Sequence, residues 1–359
     1  MHLKSAFPVL NNCTYLNTPG SGLLSKAAAE WRQAHDADFL NRGSGFRENQ
    51  AGFLKLVREE LAGFFNAKAG NVFLVPNFSF GFNTFLDGLP GKHRFLLLEE
   101  DYPSVNYPIS SRGFDCSYVK IDENLEEALT DKIRTFKPDV FAFSVVQYLS
   151  GLKIDLRFIK DLKRQFPDLL IVADGTQFCG TETFDFNSSG IDMLASSGYK
   201  WMLSGYGNGF VMLSDETAGR LFAQAGKVPA PSEPFLKDRS PLSMAFEPGH
   251  LDTLNFGTLY QSLLFFKASG TDVIAEKVAA LGRAAKAAFA EVDLLDPFLL
   301  DRREHSSIFN LAVPDKVQLE LNKQSVICMQ RGKGTRVGFH FYNDEEDLGI
   351  LLEIIKRYR

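Results

Sequence analysis

Cysteine is scarce and unpatterned in this chain of 359 residues: Cys13, Cys116, Cys179 and Cys328 show no C-x-x-C spacing and no regular framework. That excludes a disulfide-stapled scaffold or a cysteine-rich metal centre, and it leads us to expect a reduced, cytoplasmic protein with no metal site. Positive charge is in deficit too, with 39 Lys and Arg against 44 Asp and Glu and a net charge of −5. No broad cationic surface for nucleic acid or anionic membrane follows from such a balance, so the expected partner is a small molecule. No apolar run approaches the roughly 18 residues of a spanning helix. The opening residues 1–8 have no apolar signal core, and the expectation is a soluble, unprocessed chain. Repeats and low-complexity tracts are missing as well.

What is present is core material. Hydrophobic residues make up 45% of the chain, enough to bury one large domain plus a smaller partner. Thirty-three phenylalanines, spread along the sequence at core spacings, read as packing. Short apolar runs, Val72-Phe73-Leu74-Val75, Phe95 to Leu98, Val140 to Phe143 and Leu169 to Val172, are bounded by polar or turn residues, as strands buried on both faces are. Helical stripes lie between them, for example Phe53, Leu56, Val57, Leu61 and Phe64, and the stretch from Leu156 to Phe166. Such alternation predicts an α/β fold with a mostly parallel sheet. The Pro-, Ser- and charge-rich segment 223–248 marks a boundary. After it come a helical stretch from Thr271 to Val292, strand-like residues 307–311 and 325–328, and a closing helix from Asp344 to Lys356, the makings of a smaller α+β unit.

Asp174 ends the apolar run that begins at Leu169, and ligands of open parallel sheets bind beyond the carboxyl ends of strands. Twenty-six residues later Ser196-Ser197-Gly198-Tyr199-Lys200-Trp201 stands between a hydrophobic stretch and the glycine-rich Gly205 to Phe210. A lysine amine that can form an imine and an anion that keeps a pyridine nitrogen protonated are what pyridoxal 5'-phosphate (PLP) chemistry needs. Taken singly, a strand-end Asp is a cap or an ion-pair member, and a Lys is a solvated charge.

Ala173-Asp174-Gly175-Thr176-Gln177 followed by Ser197-Gly198-Tyr199-Lys200 resembles the D-x-x-Q and S-G-[HY]-K signatures of the class V aminotransferase family, with its cysteine desulfurase, selenocysteine lyase, kynureninase and isopenicillin N epimerase-like members. The resemblance runs from about Tyr15 to the C-terminus. It implies the PLP-dependent transferase type I fold: a large domain with a mostly parallel seven-stranded sheet flanked by helices at 16–245, and a small domain from 1–15 and 246–359. It further implies that Lys200 holds the cofactor as a Schiff base and shuttles protons, that Asp174 pairs with the pyridinium nitrogen and Gln177 with the phenolic oxygen, and that Ser197 and Tyr199 hold phosphate.

Asn77-Phe78-Ser79 precedes a helical stretch and resembles the family's phosphate-binding turn, where free N–H groups and the helix dipole favour an anion; an ordinary helix cap is the alternative. Its phenylalanines depart from the small or polar residues common in desulfurases. Tyr102, in Glu100-Asp101-Tyr102-Pro103, resembles the kynureninase residue that stacks on the cofactor ring; desulfurases usually carry His there. Asn255-Phe256-Gly257-Thr258 looks like the family's turn that touches the neighbouring subunit's phosphate through Thr258, which implies a homodimer; the alternative is a helix cap.

Arg336, in Arg336-Val337-Gly338-Phe339-His340-Phe341-Tyr342-Asn343, resembles the arginine of an R-x-S-x-x-x-Y-N motif and is the expected clamp for a substrate carboxylate. A surface ion pair with Glu345 or Glu346 is the alternative. Asn17 and Arg42 are candidate substrate contacts, or turn residues. The activity implied is amino-group transfer on a carboxylate-bearing amino acid; the alternatives are a PLP lyase or epimerase, and a fold relic without activity. Cys328 falls in an apolar run, which argues against the desulfurase branch.

Overall fold

The computed structural model describes residues 3–229, 231–233, 236 and 239–359. Twelve strands run in chain order: β1 (Thr14–Tyr15), β2 (Val72–Val75), β3 (Arg94–Leu98), β4 (Asp115–Val119), β5 (Val140–Ser144), β6 (Leu170–Asp174), β7 (Met193–Ser197), β8 (Gly209–Leu213), β9 (Ile308–Leu311), β10 (Val326–Ile327), β11 (Met329–Arg331) and β12 (Gly334–Gly338). Seven of them build the central sheet in the order β2-β8-β7-β6-β5-β3-β4. All neighbours pair in parallel except β8, which runs antiparallel to both β2 and β7.

The apolar runs form strands because both sheet faces are covered. On β5, Phe141 and Phe143 stack 4.6 Å apart and join one core cluster with Leu96, Ile171 and Leu194. Val140 and Ala142 point the other way and join Phe95, Val172 and Met193 in a second cluster. This is the two-residue period of a pleated strand, with apolar residues in both registers. Removing a fully buried ring such as Phe143 by a change to Ala costs about 3–5 kcal/mol, more than most single contacts in the molecule. The edge strand β4, Asp-Cys-Ser-Tyr-Val, is largely polar and part-exposed. Its sequence gave no apolar run to read, and β8 was hidden behind its glycine-rich approach.

The helix Gln50–Phe64 forms where the stripe was expected, but its buried face is Leu54, Val57 and Leu61, with Phe53 and Phe64 half-buried beside it and Leu56 exposed to solvent. A second body forms around β9, β12 and β11, an antiparallel three-stranded sheet in the order β11-β12-β9, with β1 and β10 paired in parallel beside it. The helices Thr271–Glu291, Asp315–Lys323 and Glu345–Tyr358 pack on it through Phe289, Leu321 and Leu351. The closing helix starts with a reciprocal capping box between Asp344 and Asp347, which satisfies two of its free N–H groups.

The helix Thr253–Ser269 lies against the helices Lys26–Arg42 and Gln50–Phe64 of the large body. We propose that the two bodies divide near residue 245, with this helix following that point in the chain yet packing on the large body. A strap over residues 15–22 ties the two bodies together. Leu16 N–H donates to Ile327 and the Leu16 carbonyl accepts from Gly338, both at 2.8 Å, while Gly22 N–H donates to the Tyr199 carbonyl at 2.8 Å. Asn343 reaches the Tyr15 carbonyl at 3.0 Å, and the Thr18 hydroxyl meets the Tyr342 hydroxyl.

Candidate active site

β5, β6 and β7 end side by side at Ser144, Asp174 and Ser197, and beyond these carboxyl ends opens a cavity of about 320 Å³. A parallel sheet with helices on both faces leaves its ligand crevice at this edge. Lys200 follows β7 by three residues on a turn closed by Asn208, whose side-chain amide donates to the Ser204 carbonyl at 2.8 Å. The Gly198 N–H donates to the Asn208 carbonyl at 2.9 Å, which anchors the turn at its other end.

Nine of the sequence-predicted residues line this one cavity: Asn77, Phe78, Ser79, Tyr102, Asp174, Gln177, Ser197, Tyr199 and Lys200. The Lys200 side chain is buried, and among the described residues its Nζ makes no hydrogen bond or ion pair. Nζ sits 5.5 Å from the ring centroids of both Tyr102 and Tyr199. Burial pulls the amine below its ordinary value of 10.5; Asp174 opposes that pull and Arg336 adds to it. Asp174 is also buried, and desolvation raises its carboxyl, against a 2.8 Å hydrogen bond from Thr176 N–H to Oδ1. Thr176 in turn accepts from Ser197 N–H at 3.1 Å, so the β6 and β7 ends are locked together. A water-poor wall thus holds one acid and one amine, each destabilised in its charged form.

Gln177 has its amide orientation set by two neighbours. The Trp201 indole donates to Oε1 at 2.7 Å, and Nε2 donates to the Pro19 carbonyl at 3.0 Å. One amide hydrogen remains for a ligand oxygen. At the other end of the cavity the helix Phe78–Gly88 begins, capped by Asn77, which accepts from Phe80 N–H at 2.9 Å. The Asn77 side chain therefore acts as a cap, and Phe78 N–H donates to Ser197 Oγ at 2.9 Å. Phe78 and Phe82 stack at 5.3 Å in the core below, which explains a phenylalanine at 78 where desulfurases often carry a small or polar residue; Phe80 is exposed, and nothing in the structure explains it. Tyr199 stacks on Tyr206 at 4.8 Å, and burial pushes its hydroxyl up to about 12, so it is a neutral donor.

Several residues of the site were not legible in the sequence. Asp101 is buried, accepts from Tyr102 N–H at 2.6 Å and from Ser144 N–H at 2.8 Å, and so fixes the Tyr102 loop to the end of β5. Tyr148 meets Tyr102 edge to face at 5.3 Å, and Tyr206 and Gly207 complete the rim. The rule that ligands sit beyond strand ends could have singled out Ser144 and Tyr148, which follow β5.

Arg336 is on β12, buried at 3% exposure, and its Nη1 donates to the Tyr148 carbonyl at 2.8 Å. Its Nε has no partner, and among the described residues it forms no ion pair, so the expected alternative with Glu345 or Glu346 is not formed. Burial and then Arg331 bring it down to about 10. The motif's serine is Gly338 here because a Cβ at that position would collide with the Pro19 ring of the strap. Asn17 bridges Gly338 and keeps a buried Oδ1 without a partner, at the edge of the strap and not on the cavity wall.

Two expectations are corrected. Asn255 to Thr258 is not a turn but the start of the helix Thr253–Ser269, capped by Asp252. Its Gly257 lets Trp31 pack against the helix, and Thr258 is fully buried, donating to the Leu254 carbonyl and accepting from Arg32, both at 2.7 Å. Arg42 is exposed at the end of the helix Lys26–Arg42, bonded to Asp38 and to the Gly45 carbonyl, and the structure does not bring it to the cavity.

The cavity suits PLP on its own residues: a buried amine without a partner, a buried carboxylate at a strand end, and hydroxyl and N–H donors at a helix start. The family model for class V aminotransferases matches residues 26–351. An uncharacterized aminotransferase of Bacillus subtilis is 23% identical over 96% of this chain and 94% of its own. A probable cysteine desulfurase of Methanothermobacter thermautotrophicus is 23% identical over 99% and 96%. Among solved structures, C-DES with glycine covalently linked to its PLP cofactor superposes with a TM-score of 0.83 at 19% identity, over 98% of both chains. The cysteine desulfurase of Thermococcus onnurineus does so with a TM-score of 0.84 at 17% identity, over 99% and 98%. Those two likenesses establish the fold, and together with the family match over most of its length they place this chain in the class V aminotransferase family, as a PLP enzyme.

Proposed function

We propose that the protein is an aminotransferase that acts on the amino group of a carboxylate-bearing amino acid. The observation that carries this reading is the buried Lys200 amine without a partner, set in the same cavity wall as the buried Asp174 carboxylate. PLP supplies an electron sink for charge developing at the substrate Cα. Asp174 would hold the cofactor's ring nitrogen protonated, and that pairing would offset the carboxylate's own desolvation. Lys200, with its pKa lowered by burial, gives up and takes protons near neutral pH more readily than a solvated lysine. Arg336 has a free Nε and can hold a substrate carboxylate in a two-point grip. Tyr102, which follows β3, lines the cavity and would cover the cofactor ring, and the remaining Gln177 amide hydrogen would be available to the ring's oxygen substituent.

The same Lys200 proton transfer also serves β-elimination, and one relative is named as a desulfurase. Against a route that needs a thiol to receive sulfur, none of the four cysteines lines the cavity. Cys179 is buried, with its thiol pushed up by desolvation, and Cys328 is tied to Gln318. The deciding experiment is borohydride reduction of the yellow holoenzyme with peptide mapping at Lys200, followed by product analysis. Keto acid formed with stoichiometric consumption of an amino acceptor supports transfer. Sulfide or ammonia release without an acceptor moves the assignment to a lyase. Phe39 and Leu40, exposed on the helix Lys26–Arg42, fit our further proposal of a homodimer in the cytoplasm, to be checked by sedimentation and fractionation.

A further inference from the structure

Arg336 has a companion. β11 and β12 form an antiparallel hairpin in which Met329 pairs with Arg336 and Arg331 with Gly334. Paired residues share a face and so do residues two apart, which puts Met329, Arg331 and Arg336 on one face of the hairpin. Asn310, opposite Arg336 on β9, shares that face, and its amide donates to the Arg331 carbonyl at 2.8 Å. The hairpin's turn rests on the rim of the cavity: the nearest neighbours of a Cβ at Gly332 are the Leu149 methyl groups at 3.6 Å. Tyr148, one residue back, lines the cavity and gives its carbonyl to Arg336.

The two guanidinium groups therefore start from diagonal positions, with Cα atoms about 7–8 Å apart, beside the Tyr148 rim that Arg336 touches. Among the described residues neither takes part in an ion pair, and the Arg331 side chain, which is exposed, makes no hydrogen bond. The Arg331 charge is nonetheless felt inward: it opposes the burial that raises Tyr148 and it lowers both Arg336 and Lys200. Like charges so placed repel, and an acidic side chain would be the simplest remedy. Among the described residues none pairs with either guanidinium, which leaves room for a bound anion to supply the counter-charge.

We propose that the substrates are amino and keto dicarboxylates, with the α-carboxylate on Arg336 and the distal carboxylate on Arg331 across Tyr148. This rests on the reading of Arg336 as the carboxylate clamp. Arg331 is then the specificity-determining residue, and its exposed position means that substitution leaves the core untouched.

The test uses inert probes of equal length, glutarate and pentanoate, titrated into the holoenzyme by calorimetry at fixed ionic strength. Glutarate is expected to bind about tenfold more tightly than pentanoate, the worth of one charge-assisted contact. R331Q should abolish that preference and leave pentanoate binding unchanged, whereas R336Q should weaken both probes. Equal binding of the two probes, no binding of either, or a preference that survives in R331Q overturns the dicarboxylate assignment. Pentanoate binding indifferent to R336Q overturns instead the clamp on which it stands, and amino-group transfer to monocarboxylic keto acids alone would leave the general activity intact while removing this substrate class.

Discussion

Lys153, half-buried, and Lys200, buried, are both withdrawn from solvent, and their surroundings are opposite. Lys153 reaches two carboxylates, Glu182 at 2.9 Å and Glu304 at 3.3 Å. Burial works against its charge, but the two acids outweigh it and leave the pKa above 10.5. Lys200 has no hydrogen-bonded acid, and its pKa falls below the same reference value. Burial alone therefore does not distinguish structural from chemical lysines. What does is whether the fold supplies the counter-charge or leaves that role to a ligand.

The comparison breaks first at Lys200 itself. K200A should lose turnover by at least about 10²–10⁴-fold and lose the borohydride-fixed label, as read by steady-state rates and mass mapping. A wild-type rate in K200A would sink the assignment. D174N removes the one carboxylate that lines the cavity among the described residues and is expected to lower the rate by about 10²-fold with a changed visible spectrum. K153M, in contrast, should lower stability by about 1–3 kcal/mol in urea titrations, by orphaning Glu182 and leaving Glu304 with Arg157 alone, and keep the cofactor fixed at Lys200.

The two lysines should also give opposite pH slopes in cofactor-free protein. Lys200 has a folded pKa below its unfolded value, so the unfolded state binds more protons and wild type gains stability relative to K200M as pH rises toward 10.5. Lys153 has a raised folded pKa. Its contribution is complete below 10.5 and is lost as pH climbs through the raised value, so wild type loses stability relative to K153M there. Melting temperatures of the three proteins between pH 7 and 11 read both slopes, and slopes of the same sign would erase the distinction. Smallest of all, R42A should leave kcat/KM within about twofold, as befits an exposed side chain remote from the cavity.

The chemistry at Lys200 was legible because it is local: a strand-end Asp, a short gap, and a lysine in a tight turn occupy one stretch of chain. The apolar strands were legible because burial on both faces leaves no polar gaps. Asp101, Ser144 and Tyr148 were not, since they meet only because β3 and β5 lie side by side, which is a property of strand order and not of any window of sequence. Thr258 shows the reverse error. A Gly-Thr pair reads as a turn, but Asp252 had already started a helix, and the glycine accommodates an indole ring. The edge strand β4 escaped because a polar, part-exposed strand carries no hydrophobic signal.

The strap over residues 15–22 reaches the small sheet at one end and the lysine turn at the other, and the orientation of Gln177 depends on it through Pro19. A shortened chain starting after residue 22 would accordingly leave β10 without its neighbour, Trp201 and Gly338 without their cover, and the lysine turn without its Gly22 hydrogen bond. For anyone engineering the protein, residues 15–22 are thus a working part of the site rather than a segment to trim.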